Sequence, residues 1–280
     1  DLPLIYFLMV CNATFNMALK IAVAGKGGVG KTTIAGALAR LYARDGNNVI
    51  AVDADPDSNL ASALDISKAE REKIIPLSQM YDLIEERTGV RPGESFGGMF
   101  KLNPKVNDLL ERYGLQGKDG VVLLVLGTIQ NAASGCFCPE NALLKGLMRH
   151  LLLKKDDVLI MDMEAGIEHL GRGTAEKVDL LLVVVEPGQR SLETAAKVKE
   201  LGSQLGIDGI GALLNKMRST EEKEIVGQAL KEIGIPLLGT IPYDESTAKS
   251  DLEGKALELR DDSELTSALR SAMETLTSFA

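Results

Sequence analysis

The chain has 280 residues, 45% of them hydrophobic, which is enough for one large α/β domain with a substantial core. Aromatic residues make up only 4% and tryptophan is absent, which argues against binding of single-stranded nucleic acid by base stacking. The net charge of −9, without any lysine- or arginine-rich block, argues further against a nucleic-acid partner.

Residues 1–16 are expected to be an upstream extension rather than part of the domain. The apolar run at 2–10 is too short to span a bilayer and lacks the basic start of a signal peptide. Met17 stands directly before the first predicted strand, as the initiating methionine of a shorter chain would. Three cysteines do not make a disulfide framework. We therefore expect one domain over 17–280, a cytoplasmic location and no membrane partner.

Strand-like and helix-like runs alternate along almost the whole chain. The run at 180–185 is apolar on both faces, as in a central parallel strand. The alternation predicts an α/β fold with a doubly wound, mainly parallel sheet and helices on both faces. The predicted strands are 19–24, 49–52, 120–126, 158–161, 180–185, 207–214 and 236–241. The predicted helices are 31–44, 140–153, 189–204, 219–233 and 262–279, with shorter pieces near 67–75, 77–87 and 105–113.

The first strand leads into a glycine-rich loop that fits the pattern G-x-x-x-x-G-K-[ST] and opens a helix. Glycines let consecutive N–H groups turn inward around phosphate oxygens, and the helix N-terminus adds its positive end. Lys31 is expected to bind the outer phosphates and Thr32 to ligate Mg²⁺. The predicted nucleotide-binding residues of the loop are Gly25, Lys26, Gly27, Gly28, Val29, Gly30, Lys31, Thr32 and Thr33.

A dinucleotide site is the main competitor for this loop. The same glycines satisfy G-x-G-x-x-G, and Asp53 ends the next strand as a ribose-binding acid would. A dinucleotide site does not need Lys31 and Thr32 directly after the last glycine, whereas a triphosphate site does. We therefore favour a nucleoside triphosphate.

Carboxylates follow two of the predicted strands. Asp53 and Asp55 are expected on one face, two residues apart, because side chains alternate along an extended chain. Asp162 is expected to hold Mg²⁺ through water, the alternative being a helix-capping role. Gly166 is expected to donate its N–H to the γ-phosphate. Triphosphate cleavage needs positioning and charge neutralisation, so a carboxylate near the γ-phosphate suffices.

Cys136 and Cys138 form the most discriminating feature beyond the glycine loop. Two thiolates one residue apart can face the same side of an extended segment, and such soft ligands suit Zn²⁺, Ni²⁺ or Cu(I). One pair is half of a tetrahedral set, which two copies across a dimer axis would complete. Two ordinary cysteines or a redox pair are the alternatives.

The stretch GKGGVGKTT at 25–33 resembles the deviant Walker A loop of the MinD/ParA and nitrogenase iron-protein group of ATPases. The resemblance implies a MinD-like P-loop NTPase domain and an ATP-dependent homodimer in which Lys26 reaches the partner's nucleotide. A solvated lysine is the alternative for Lys26.

The same resemblance implies further roles. Asp55 would orient the attacking water, with Asp53 as the residue that shares the work. Asn215 and Lys216, after the strand that is predicted to end at 214, resemble the adenine-edge segment of the group. Pro242 and Tyr243 resemble the loop on the other side of the base. The expected catalytic residues are Lys26, Lys31, Asp55 and Asp162.

Two further stretches, CFCPENALL at 136–144 and DMEAGIEHLGRGT at 162–174, are similar to the nickel-insertion accessory ATPases of carbon monoxide dehydrogenase, the CooC type. The resemblance covers the chain from Met17 onward. It implies a homodimer that binds nickel (or zinc at the same site) through Cys136 and Cys138. Hydrolysis of ATP to ADP and phosphate would be coupled to metal transfer into carbon monoxide dehydrogenase or acetyl-CoA synthase.

Two other functions remain open within this group of ATPases. An iron–sulfur carrier or electron-transfer ATPase of the nitrogenase iron-protein type would use widely separated cysteines. A MinD/ParA-like positioning ATPase should carry a basic amphipathic helix or a basic patch, whereas 263–280 has only Arg270 as a cation.

Overall fold

The computed structural model describes residues 18–55, 59–93, 100–127, 138–153, 157–164, 175 and 177–280. Eight strands in this part of the chain form a single sheet. They are β1 (Leu19–Ala24), β2 (Asn48–Asp53), β3 (Leu115–Gln116), β4 (Val122–Val125), β5 (Asp157–Asp162), β6 (Leu180–Val185), β7 (Ile210–Met217) and β8 (Leu237–Pro242). Their spatial order is β3-β4-β2-β5-β1-β6-β7-β8, and every pair is parallel except β3 with β4. The predicted α/β fold with a mainly parallel sheet is confirmed.

Helices connect most of the strands. They are α1 (Lys31–Arg44), α2 (Leu60–Ala63), α3 (Lys68–Arg71), α4 (Tyr81–Thr88), α5 (Leu109–Tyr113), α6 (Pro139–Leu152), α7 (Gln189–Gln204), α8 (Thr220–Ile233), α9 (Glu245–Leu252) and α10 (Glu264–Phe279). Short 3₁₀ turns stand at Leu77–Gln79 and Lys118–Gly120. The helix predicted over 77–87 is therefore a 3₁₀ turn followed by α4, and the one predicted over 105–113 begins only at Leu109.

The sheet separates two hydrophobic cores, because successive side chains of each strand point to opposite faces. In β1, Ile21 and Val23 pack with α1 and α10 on one face, whereas Ala22 and Ala24 pack with α6, α7 and α8 on the other. Every residue of β6 is fully buried, as its apolar run predicts for a strand covered on both sides.

The carboxyl ends of β1 and β5 meet near the middle of the sheet, because these two strands are neighbours. The chain leaves β1 toward β2 on one side, and it leaves β5 toward β6 on the other side of β1. Such a reversal opens a crevice at the carboxyl edge of a parallel sheet, which is where ligands bind in folds of this kind.

The strand β7 is displaced by three residues from the predicted 207–214. It begins late because Ile207 still donates its N–H to Gly202 at the end of α7. It continues to Met217 because Pro242 of β8 pairs with Met217, whose carbonyl also accepts from the N–H of Tyr243, at 2.8 Å. We predicted that Asn215 and Lys216 follow this strand, but they lie inside it.

The two edges of the sheet differ from its centre. At one edge, β3 has only two residues and pairs antiparallel with β4. At the other edge, β8 ends with Pro242, and Pro236 directly precedes it.

An irregular segment, residues 253–262, crosses the outer face of α1, and we call it the strap. Two arginines one turn apart on α1 hold it through backbone carbonyls. Arg40 donates from Nη1 to the Leu257 carbonyl at 2.6 Å, and Arg44 donates from Nη1 to the Leu259 carbonyl at 2.8 Å. Both also pair with Asp119, through their Nε atoms, at 2.8 Å and 3.2 Å.

The last helix belongs to the core. Ser263 caps α10 by accepting from the Thr266 N–H, and Leu265, Leu269 and Leu276 of its apolar face are buried. Its single cation, Arg270, pairs with Asp45 at 3.1 Å. Among the residues that the structure describes, no helix combines the length and apolar character needed to cross a bilayer.

Candidate nucleotide site

The glycine-rich loop joins β1 to α1 at the carboxyl edge of the sheet. Gly25 has φ 143°, and a Cβ there would overlap the Val184 carbonyl oxygen of the neighbouring strand β6. Gly30 has φ 94°, and a Cβ there would lie 2.5 Å from Nδ2 of Asn215. A side chain at Gly27 or Gly28 would instead meet open space, because both line the cleft. The loop is thus fixed from behind and open toward the cleft.

Side chains from β7 hold the loop through its carbonyl groups. Asn215, which is buried, donates from Nδ2 to the Val29 carbonyl at 2.8 Å. Lys216 donates from Nζ to the Gly28 carbonyl at 2.5 Å. Asn215 and Lys216, which we predicted to border adenine, therefore also hold the phosphate loop. Both line the cleft, and their contact with a base remains a prediction.

Two buried carboxyls lie beside each other below the loop. Asp53 ends β2 and is the register partner of Asp162, which ends β5. Both are fully buried. Asp53 accepts from the N–H groups of Leu60, at 3.1 Å, and Asp55, at 3.2 Å. Burial raises the pKa of Asp53 to about 7 in spite of these two hydrogen bonds.

The surroundings of Asp162 fit a magnesium ion. Burial raises its pKa to about 7, Thr32 and Lys31 favour its charged form, and Asp53 opposes it. Neither carboxyl oxygen has a partner at hydrogen-bonding geometry among the described residues, although Thr32 lies close by. An anionic group left unsatisfied beside the helix N-terminus is what a divalent cation would complete.

The alternation from which we expected Asp53 and Asp55 to share one face does not apply. The strand β2 ends at Asp53, so the alternation of an extended chain does not continue to Asp55. Asp53 points into the core, whereas Asp55 stands in a bend, is partly exposed and lines the cleft. The water-orienting role of Asp55 remains a prediction.

We predict that the metal-free protein loses stability as the pH rises from about 4 to about 7. The folded protein binds more protons than the unfolded chain between the usual carboxyl pKa near 4 and the raised values of about 7. The free energy of unfolding should therefore fall through this window, by on the order of 4 kcal/mol for each of the two groups, and level off above it. Urea unfolding in the presence of a chelator measures this slope.

Asp162→Asn is the matched control, because it keeps the shape of the side chain and removes one of the two titrating groups. The variant should show a clearly shallower slope than the wild type. Equal slopes would contradict the assignment of raised pKa values to this pair.

The far end of the cleft has an aromatic wall. The Arg218 guanidinium lies over the Tyr243 ring, 4.3 Å from its centroid. Pro242 and Tyr243 line the cleft, which has a volume of about 820 Å³, and their contact with a base remains a prediction. The sequence patterns did not single out Arg218.

Lys26 lies on the loop with its side chain 36% exposed. Its Nζ is 3.4 Å from Oε1 of Glu186, the residue that follows β6. Glu186 also lines the cleft, and no motif of the sequence indicated it. The only local signal is that a carboxylate directly follows an entirely apolar strand.

Several predicted residues lie outside the described residues. They are Gly166, Cys136 and the proposed extension 1–16. Cys138 is described: it is half-buried and stands directly before α6, which begins with Pro139. Because α6 returns the chain from β4 to the parallel strand β5, Cys138 lies at the same edge of the sheet as the phosphate loop.

Comparison with known proteins agrees with this geometry. Residues 20–257 match the family described as the CobQ/CobB/MinD/ParA nucleotide binding domain. An uncharacterized ATP-binding protein of Methanocaldococcus jannaschii is 49% identical over 86% of this chain and 91% of its own length. The carbon monoxide dehydrogenase accessory protein CooC of Rhodospirillum rubrum is 46% identical over 84% of this chain and 88% of its own length.

Solved structures agree on the fold. The MinC:MinD cell division protein complex of Aquifex aeolicus matches with a TM-score of 0.67 at 20% identity, over 94% of this chain and 97% of that one. The cell division ATPase MinD of Pyrococcus furiosus matches with a TM-score of 0.65 at 22% identity, over 94% and 100%. The chain therefore belongs to the CobQ/CobB/MinD/ParA nucleotide-binding family and is an ATPase of the CooC type.

Proposed function

We propose that this ATPase works as a homodimer that carries nickel on paired cysteines and assists the maturation of carbon monoxide dehydrogenase or acetyl-CoA synthase. The observation that carries the proposal is the 46% identity to a carbon monoxide dehydrogenase accessory protein over 88% of that protein's length. Cys138 lies at the same edge of the sheet as the phosphate loop, which supports a coupling between metal binding and ATP binding.

The proposed hydrolysis of ATP relies on positioned charge. The loop N–H groups and Lys31 bind the phosphates, and Asp55 orients the attacking water from its place in the cleft wall. Mg²⁺, held by Thr32 and through water by Asp162, would neutralise phosphate charge. Gly166 would donate its N–H to the γ-phosphate.

The proposed dimer depends on Lys26. Its side chain is 36% exposed, so its ammonium is accessible to a second subunit's nucleotide. Bound ATP would then hold two subunits together, and hydrolysis would remove that stabilisation. In the structure Lys26 is paired with Glu186 of its own subunit.

The proposed metal site takes one cysteine pair from each subunit. Four thiolates would complete a tetrahedral set, and nickel or zinc suits such ligands. A site divided over an interface that ATP controls must change its geometry or affinity with the nucleotide state. This coupling is how a carrier would release its metal to the client enzyme.

Anaerobic metal stoichiometry tests the proposal. We expect metal-free protein to take up one Ni²⁺ or Zn²⁺ per two chains, and Cys136→Ser/Cys138→Ser to lose this uptake because the thiolates are the ligands. The third cysteine of the sequence offers a matched control: Cys11→Ser should bind metal like the wild type. Equal uptake by the double variant would remove the cysteine site, and with it the case for a metal carrier.

A further inference from the structure

One carboxylate holds two lysines over the phosphate loop. Glu186 contacts Lys26 Nζ through Oε1, at 3.4 Å, and Lys216 Nζ through Oε2, at 3.0 Å. All three residues belong to the subunit that carries the loop, and we call them the Glu186 cluster. In this cluster the Glu186 carboxylate offsets the positive charge of Lys26.

The backbone of Glu186 is fixed at the start of α7, and the second lysine of the cluster is fixed by the loop. The N–H of Glu186 donates to the Ser191 hydroxyl at 3.1 Å, and Ser191 is buried in the first turn of α7. Lys216 is fixed in turn by the Gly28 carbonyl. Among the described residues, the Lys26 side chain has only the longer contact with Glu186. It is therefore the member that can leave.

We propose that Glu186 is a positioning residue that holds Lys26 in its own subunit and so opposes dimerisation until a partner's ATP competes for the lysine. Lys26 must give up its ion pair with Glu186 before it can bind a phosphate of the partner's nucleotide. The ion pair therefore weakens that contact across the interface. The inference rests on the proposed role of Lys26 in the dimer.

Lys216 lowers the free-energy cost of releasing Lys26 from Glu186. When Lys26 leaves, Glu186 keeps its 3.0 Å contact with Lys216, so the carboxylate is not left unpaired in the cleft. The energy lost is that of one partly exposed ion pair, which is small enough for a triphosphate to offset. Without Lys216, the carboxylate would bind Lys26 more tightly.

The dimer dissociation constant at a saturating concentration of a non-hydrolysable ATP analogue tests the inference. We expect Glu186→Gln to dimerise about two- to five-fold more tightly than the wild type, the range for a partly exposed ion pair. Saturation removes any effect of the substitution on nucleotide affinity. Glu186→Asp, which keeps the charge on a shorter side chain, should fall between the two. Sedimentation velocity over a range of protein concentrations gives the constants.

Two further variants make the outcomes distinct. Glu193→Gln makes the same change at an exposed position of α7 and should match the wild type. Lys26→Ala should abolish the dimer that depends on the ATP analogue. If Lys26→Ala dimerises normally, the proposed function of Lys26 is wrong. If Lys26→Ala fails while Glu186→Gln dimerises no more tightly than the wild type, only the holding role of Glu186 is wrong.

Discussion

Replacing Lys31 by methionine is expected to lower the rate of ATP hydrolysis by about 10²–10³-fold, the usual cost of removing one fixed charge or donor from a developing anion. Lys31 is the first residue of α1 and is buried at the loop, with only 7% of its surface exposed. Its ammonium is therefore held at the loop, where we propose that the phosphates bind, and methionine keeps its length without its charge. Steady-state phosphate release under saturating ATP measures the effect.

Lys197→Met is the control for this variant. It makes the same substitution at an exposed position of α7, away from the cleft, and should hydrolyse ATP like the wild type. A Lys31→Met protein that is folded and retains more than about a tenth of the wild-type rate would contradict the assignment of Lys31 to the phosphates.

Replacing Arg40 by methionine should lower the free energy of unfolding by about 2–4 kcal/mol. Arg40 is only 1% exposed, although it is charged, and its guanidinium satisfies both Asp119 and the Leu257 carbonyl. Methionine fills much of the volume but leaves the carbonyl and the carboxylate without this donor. The strap would lose the deeper of its two attachments to α1. Urea unfolding monitored by circular dichroism gives the change.

Arg44→Met is the natural comparison, one helical turn further along α1. Arg44 contacts Asp119 and a strap carbonyl as Arg40 does, but its side chain is 27% exposed. Water can replace its hydrogen bonds, so its loss should cost about 1 kcal/mol or less. Equal losses for the two variants would mean that burial of Arg40 does not determine its contribution.

The sequence predicted the sheet well because its central strands are apolar on both faces. The run Leu180–Val185 and the loop after Ala24 coincide with β6 and with the β1–α1 turn. The helix α9 was missed because none of its described side chains is buried, so its sequence has no apolar period. The end of β7 was misplaced because the pairing of Met217 with β8 determines it, and such pairing leaves no local signal.

The charged residues that the sequence did not indicate are those whose partners lie far away in the chain. Glu186 pairs with Lys26, 160 residues before it, and Arg40 binds a carbonyl 217 residues after it. On helical spacing Arg40 resembles any solvated arginine. Only the path of the strap makes it a core residue, and that path is a property of the folded chain.

The two ends of the sheet restrict how two copies of this protein can associate. At one margin, β3 offers only two residues for pairing. At the other, β8 lies between Pro236 and Pro242, which have no N–H to donate. Neither margin is a good template for a ninth strand, so a continuous intermolecular sheet is disfavoured. In the proposed homodimer, the two subunits would then meet through the loops at the carboxyl edge, and they could separate without breaking backbone hydrogen bonds between strands.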